Sequence, residues 1–213
     1  MLASNNGNLS IDLLIAYAQE CLHDIPSASK MNASYAFRNR FTHSIRVMKW
    51  CERLLEEIPA DRNSVIPAAI LHDIGYAISA ADHAKQGAIM AHGFLTNQDC
   101  SPMLADSISE LIANHSTKNL DPLKMSNELM ILQDADCLDE IGALTVFWDC
   151  MAEGACEIQN YRKAYERLLA SHKKITGRNR KMKTSLANQI YQERLSVLRQ
   201  FLDEIEYELF ITE

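Results

Sequence analysis

Histidines and aspartates recur in this sequence at the ends of apolar helical stripes, where they could bind a cation or move a proton. His43 opens a stripe continued by Val47, Trp50 and Leu54 at steps of four, three and four, which puts it on the inward face of a helix expected from about Phe41 to Ile58. His72 extends the apolar line of Val65 and Ala69, and Asp73 that of Ile66 and Ile70. His115 closes a third stripe through Leu104, Ile108 and Leu111. Four acids, Asp134, Asp136, Asp139 and Glu140, crowd an otherwise apolar helix.

One histidine on an apolar face is usually a hydrogen-bonded core residue, but three on separate stripes, joined by carboxylates, need a common partner. An ionised carboxylate in a helical core costs several kcal/mol, on the order of the effective burial penalty of an ion, unless a cation or strong donors compensate it. A divalent metal ion supplies that compensation. Mixed imidazole and carboxylate ligands suit first-row ions or Mg, leaving Mn, Mg, Co, Ni, Fe and Zn all open. Protein ligands that do not fill the coordination sphere leave room for water and substrate, a catalytic rather than a closed structural arrangement. The wording Leu-His-Asp-Ile occurs twice, at Leu22-His23-Asp24-Ile25 and at Leu71-His72-Asp73-Ile74. Only the second ends an apolar helix, follows a helix presenting a histidine, and precedes a glycine, Gly75; the first runs into Pro26 and reads as a surface pair at a helix end.

The surrounding sequence reads as helical throughout, and no strand is expected. Ser10 is a plausible N-cap for Ile11 to Leu22, Ser64 for the short helix before His72, and Ser101-Pro102 for the helix ending at His115. Ala80 to Leu95 reads as a helix carrying His83 and His92. A longer one is expected to start at Ser126 and run through Gly142 into Leu144 and Phe147. Beyond a helix from about Tyr161 to His172 and a basic loop over Lys173 to Lys183, the last helix carries Tyr191, Leu195, Leu198, Leu202, Ile205 and Leu209 at alternating four and three spacing, a seam that packs on another helix or on a second subunit.

The 213 residues suffice for one sizeable domain. A formal net charge of -7 argues against nucleic-acid backbone or an anionic membrane as main partner, because counterion release needs clustered Lys and Arg. The six cysteines include no C-x-x-C pair and read as free thiols of a reducing cytoplasm. Neither a secretory signal nor an apolar run long enough to span a bilayer is visible, so a cytoplasmic protein is expected.

Three segments carry a family resemblance: Phe41-Thr42-His43-Ser44-Ile45-Arg46-Val47, Ala69-Ile70-Leu71-His72-Asp73-Ile74-Gly75, and Ile131-Leu132-Gln133-Asp134-Ala135-Asp136-Cys137-Leu138-Asp139. In order and wording they resemble the HD superfamily of metal-dependent phosphohydrolases, and the third is similar to a bacterial subfamily that usually reads Gln-Asp-Ala-Asp-Arg-Leu-Asp, with Cys137 here in place of the Arg. Ile112-Ala113-Asn114-His115-Ser116 and Met182-Lys183-Thr184 extend the likeness, with gaps, from about His43 to Leu209. The resemblance implies an all-α HD-domain helical bundle with a long C-terminal helix: one domain over 1–213, its core about 35–150 and a C-terminal helical part about 157–213. It implies a divalent metal ion held by His43, His72, Asp73 and Asp136. Spacing alone leaves Asp134 and Asp136 open, and the family pattern picks Asp136.

The implied activity is hydrolysis of a phosphate ester or anhydride, with a nucleotide or related small phosphorylated substrate. His115 would bind the phosphate or protonate the leaving group, and Arg46, one turn from His43, is a candidate phosphate clamp; it could equally pair with a surface acid. Asp139 could orient an imidazole or a water, or simply cap a helix. In some relatives the position of His83 helps to build a second metal site. Two other readings stand beside this one: a di-iron oxygenase of the HD type using His83 or His92 with His115, and a non-catalytic nucleotide-binding sensor. A homodimer through the C-terminal seam is a further expectation.

Overall fold

Apolar residues recurring every three or four positions emerge in the computed structural model as an all-α fold. It describes residues 9–23, 39–117, 120, 122–154, 160–177 and 182–210, and no strand occurs among them. The helices are α1 (Ile11–Leu22), α2 (Arg40–Leu55), α3 (Arg62–Leu71), α4 (His83–Asn97), α5 (Pro102–Asn114), α6 (Asn127–Asp139), α7 (Ala143–Gly154), α8 (Tyr161–Gly177) and α9 (Ser185–Phe210), with 3-10 turns at Ile74–Ala77 and Pro122–Lys124. The chain divides into two compact units, Met1–Asp136 and Cys137–Glu213. No helix of the described residues is long and apolar enough to cross a membrane.

In the first unit α3 is the central element, contacted by α1, α2 and α5. Every residue from Ser64 to Leu71 is buried, which is why both apolar lines of this helix read as inward and why each delivers its polar terminus, His72 or Asp73, into the core. Asp61 rather than Ser64 caps α3: its carboxylate accepts from the Asn63 amide at 3.0 Å, while the Ser64 hydroxyl donates back to the Asp61 carbonyl at 2.9 Å. A carboxylate at the positive end of the helix outcompetes a hydroxyl three residues inside it. α2 is capped by Asn39, whose side-chain oxygen accepts from the Phe41 and Thr42 amides. It stops at Leu55, short of Ile58, because the Glu57 and Ile58 amides both turn back to the Leu54 carbonyl ahead of Pro59. Ser101 caps α5 as expected, accepting from the Leu104 amide at 3.4 Å with Pro102 in the first turn. Ser10 precedes α1, but its side chain makes no capping bond. Asp24, Pro26 and Cys156 lie outside the described residues.

The helix expected to run unbroken from Ser126 into Phe147 is two. Gly142, at φ 117°, separates α6 from α7 in a conformation that a side chain would strain. The Arg194 guanidinium of α9 lies against that glycine and donates through Nε, at 2.7 Å, and Nη2 to the Ile141 carbonyl. Phe147 is on the surface. α8 continues past His172 to Gly177, so Lys173 to Gly177 are helix rather than loop; residues 178–181 of that loop are outside the described set. Thr184 caps α9, its hydroxyl accepting from the Ala187 amide at 3.3 Å. The predicted seam is inward: Tyr191, Leu195, Leu198 and Leu202 are buried, and Leu198 and Leu202 join Tyr165 and Leu168 in one cluster that Ile205 and Leu209 flank.

Candidate metal centre

His72 and His115 occupy the same local position. Each is the residue just past a helix, and each turns its Nδ1 onto the carbonyl three residues back, His72 onto Ala69 at 2.8 Å and His115 onto Ile112 at 2.7 Å. Helix ends leave carbonyls without partners, and an imidazole N–H answers one of them. His83, the first residue of α4, repeats the bond to Ala80 at 3.2 Å. A carbonyl can only accept, so Nδ1 carries the proton in all three rings and the Nε2 lone pair is left for the site.

Those Nε2 atoms converge on Asp73, whose side chain is 3% exposed. Its Oδ2 lies 3.5 Å from His72 Nε2 and 3.7 Å from His43 Nε2; its Oδ1 lies 3.8 Å from His115 Nε2 and 3.9 Å from His83 Nε2. Asp136 Oδ1 joins from α6, 3.1 Å from His43 Nε2. The rings form a chain, His43 to His72 to His115 to His83, with successive centroids 5.3, 5.0 and 5.1 Å apart. Two groups result whose ligand atoms all lie within 4.8 Å of one another: His43, His72 and Asp73, and Asp73, His83 and His115. Asp73 belongs to both, one oxygen to each.

The electrostatics favour the forms that bind cations. Burial alone would raise the Asp73 carboxyl, but His72, His43 and Arg40 hold it below its ordinary value. Asp136 is likewise held down against burial by its hydrogen bond to His43 and by the charges of His43, His72 and His115. Burial lowers His115 and His83 below the ordinary 6.5, His72 reinforcing the shift at His115. Anionic carboxylates and neutral imidazoles are what a metal ion requires. The fit is tested by one atom: His72 Nε2 is buried and has no hydrogen-bond partner. A polar nitrogen left so in a core costs about 1–3 kcal/mol, and a cation beside it removes the cost.

Gly75 sets the second group in place. It does not end α3 by a left-handed turn; it lets α4 press against the turn after Asp73, since a Cβ on Gly75 would fall inside contact distance of the His83 carbonyl and the Gly87 amide nitrogen. His83 therefore enters the cluster, whereas His92, one histidine further along α4, sits at the surface with Asp106 at 3.1 Å. Arg46 is half-buried on α2. Asp139, the last residue of α6, is buried, as is Asp134.

The guanidinium beside the cluster belongs to Arg40, which the sequence reading passed over. Its Nη1 donates to Asp73 Oδ2 at 2.9 Å, and its Cζ lies 4.1 Å from the centre of the Tyr76 ring, which also stacks on His83 at 4.3 Å. Arg40 stands one turn before His43 as Arg46 stands one turn after, and spacing alone gives no preference between them. Tyr76 lacks any periodic signal, because it sits in a 3-10 turn.

Residues 40–141 match the family described as HD domain. Among curated proteins none matches the sequence. Solved structures do. A predicted HD superfamily hydrolase from an uncultured Thermotogales bacterium is 22% identical, with 93% of this chain and 92% of that one covered at a TM-score of 0.63. An HD-superfamily hydrolase from Bacillus thuringiensis is 21% identical over 95% and 97% of the two chains, at 0.66. YpgQ of Bacillus subtilis in complex with ADP is 19% identical over 92% and 96%, at 0.63. Residues 40–141 reach from Arg40 through the His-Asp pair to Asp136 and thus take in all six side chains of the cluster; over this segment the chain is similar to the HD domain family.

Proposed function

We propose that the protein is a divalent-metal-dependent phosphohydrolase whose ion is held by His43, His72, Asp73 and Asp136. The observation that carries the reading is the buried His72 Nε2 without a hydrogen-bond partner, 3.5 Å from an anionic carboxylate oxygen. A bound divalent ion supplies Lewis acidity, making water a competent nucleophile near neutral pH and offsetting charge on phosphoryl oxygens. The chain's own groups do the rest. Nδ1 anchoring fixes His72 and His115 in one tautomer, so neither ring must reorganise when a ligand arrives. Arg40, locked to Asp73 and carried on Tyr76, offers its remaining N–H donors to a phosphate oxygen, the role first sought in Arg46. His115, buried with its Nε2 lone pair facing the site, would take up the proton released by the attacking water and, so charged, bind the phosphate or pass that proton to the leaving oxygen.

A small phosphorylated substrate is the natural occupant, and the ADP complex of YpgQ points the same way, toward a nucleotide. Incubating the purified protein with nucleoside mono-, di- and triphosphates in turn, each with Mn, Mg, Co or Ni, tests this. Release of phosphate or pyrophosphate that chelation stops is expected; no turnover of any of them with any of the metals would overturn it.

A second reading draws on the Asp73, His83 and His115 group, which offers a second ion a place on Asp73 Oδ1. Asp73, His83 and His115 would then hold the additional iron of an oxygenase of the HD type. Aerobic loading with Fe(II) separates the two: oxygen uptake with substrate turnover favours the oxygenase, and phosphate release without oxygen uptake favours the hydrolase.

A further inference from the structure

Gln133 has no part in the chemistry proposed so far, yet it is buried and both donors of its amide nitrogen are engaged. Its Nε2 donates to the Asn114 carbonyl at 2.9 Å and to the Thr117 carbonyl at 3.1 Å. Those carbonyls stand on either side of His115, and the Asn114 oxygen also accepts from the Thr117 amide at 3.1 Å, closing a tight turn around the histidine. Two carbonyls facing one side-chain atom fix that atom as the amide nitrogen, since an oxygen there could only repel them. The other end of the strap is α6, where Gln133 precedes Asp136 by one turn.

Helix ends fray, and α5 ends at Asn114, so the turn that carries His115 has no helical hydrogen bonds beyond it. His115 can serve the site only if its Nε2 keeps its 3.8 Å distance from Asp73. A leucine or methionine would fill the space of Gln133 equally well, and burying an amide instead is worthwhile only if both donors are used. We infer that Gln133 is a positioning residue for His115, strapping the turn Asn114–Thr117 to α6 so that the histidine of one helix end and the Asp136 of another helix hold a fixed separation. The functional half of this inference rests on the role proposed for His115; the strap itself does not.

The experiment uses the full chain with Gln133→Met, which keeps length but has no donor, and Gln133→Glu, which keeps shape but can only accept. Amide hydrogen exchange reads the strap directly. Loss of two hydrogen bonds should speed exchange over residues 114–117 by about tenfold or more in the Met variant, and further in the Glu variant, with α3 unchanged. Unchanged exchange in that turn in both variants overturns the inference.

The second measurement is calorimetric titration of inorganic phosphate into Mn(II)-loaded protein. Gln133→Met and His115→Ala should each weaken phosphate by about tenfold, and the double variant should be no weaker than His115→Ala alone, because one residue acts through the other. Losses that add in full, or intact binding in Gln133→Met beside impaired binding in His115→Ala, overturn it. Wild-type protein that takes up no Mn(II), or phosphate binding indifferent to His115→Ala, sinks the proposed function instead, and the exchange result then decides the strap by itself.

Discussion

Two aspartates, one in each unit, are equally buried and differently surrounded. Asp149 of α7 faces Arg167, whose Nε donates to Oδ1 at 3.1 Å, a guanidinium matched to a carboxylate as helices use to join. Asp73 also has a guanidinium, Arg40 at 2.9 Å, but four imidazole nitrogens lie within 3.9 Å of its two oxygens as well. One cation is enough for a buried carboxylate. Four imidazole nitrogens aimed at the same group exceed what its burial requires and offer lone pairs for something else. Surplus ligand capacity, rather than burial or charge, is what separates a candidate site from a structural pair.

The largest effect should come from removing the shared ligand. His72→Ala or Asp73→Ala is expected to abolish bound metal and hydrolysis, and His23→Ala, in the other copy of Leu-His-Asp-Ile, to leave both intact; metal loss in the His23 variant alone would reverse the choice between copies. Next is the apolar seam of the second unit. Leu202→Asp puts an unpaired charge among Tyr165, Leu168 and Leu198 and should cost on the order of 3–5 kcal/mol, visible as a lower melting temperature or as dissociation of a dimer. An unchanged melting temperature together with an unchanged solution mass would mean that the seam packs on nothing important.

Smaller effects sharpen the contrast between ligand and partner. Asp136→Asn keeps shape but loses the anionic oxygen 3.1 Å from His43, and should weaken Mn(II) by about tenfold to a hundredfold in equilibrium titration, more than Asp134→Asn does. Arg167→Met should lower stability by about 1–3 kcal/mol and leave metal content alone, whereas Arg40→Met should weaken phosphate and leave the fold nearly as stable. The reverse pattern would erase the distinction between the two aspartates.

Last comes pH. His83 and His115 titrate below 6.5 in the folded chain, so the unfolded chain binds more protons and the metal-free protein should lose stability as pH falls through 6.5. Asp73 and Asp136, lowered from 3.8, contribute stability that is complete above about 4 and is lost only in stronger acid. Melting temperatures of metal-free protein between pH 8 and 3 check both windows; a flat profile from 7 to 5 would contradict the histidine shifts.

How much of this the sequence carries depends on periodicity. Helix faces repeat, so the inward placement of His72, Asp73 and His115 and the seam of α9 were legible. Breaks and turns do not repeat: Gly142, inside an apolar pattern that reads straight through it, takes a positive φ because Arg194 and the Ile141 carbonyl meet there. Tyr76 and Gln133 were missed for the same reason, since their partners, Arg40 and His83 for one and Asn114 and Thr117 for the other, are set by packing between helices. Asp136 over Asp134 came from family likeness alone; in the structure Asp136 Oδ1 lies 3.1 Å from His43 Nε2.

Elemental analysis of wild type and Asp73→Ala, each equilibrated with Mn(II), desalted and shown to be folded, decides whether the cluster around Asp73 holds a metal ion. At least one ion per wild-type chain and none in the variant is the expected result; an equal metal content in both, or none in the wild type, would contradict the assignment of this group as a metal centre.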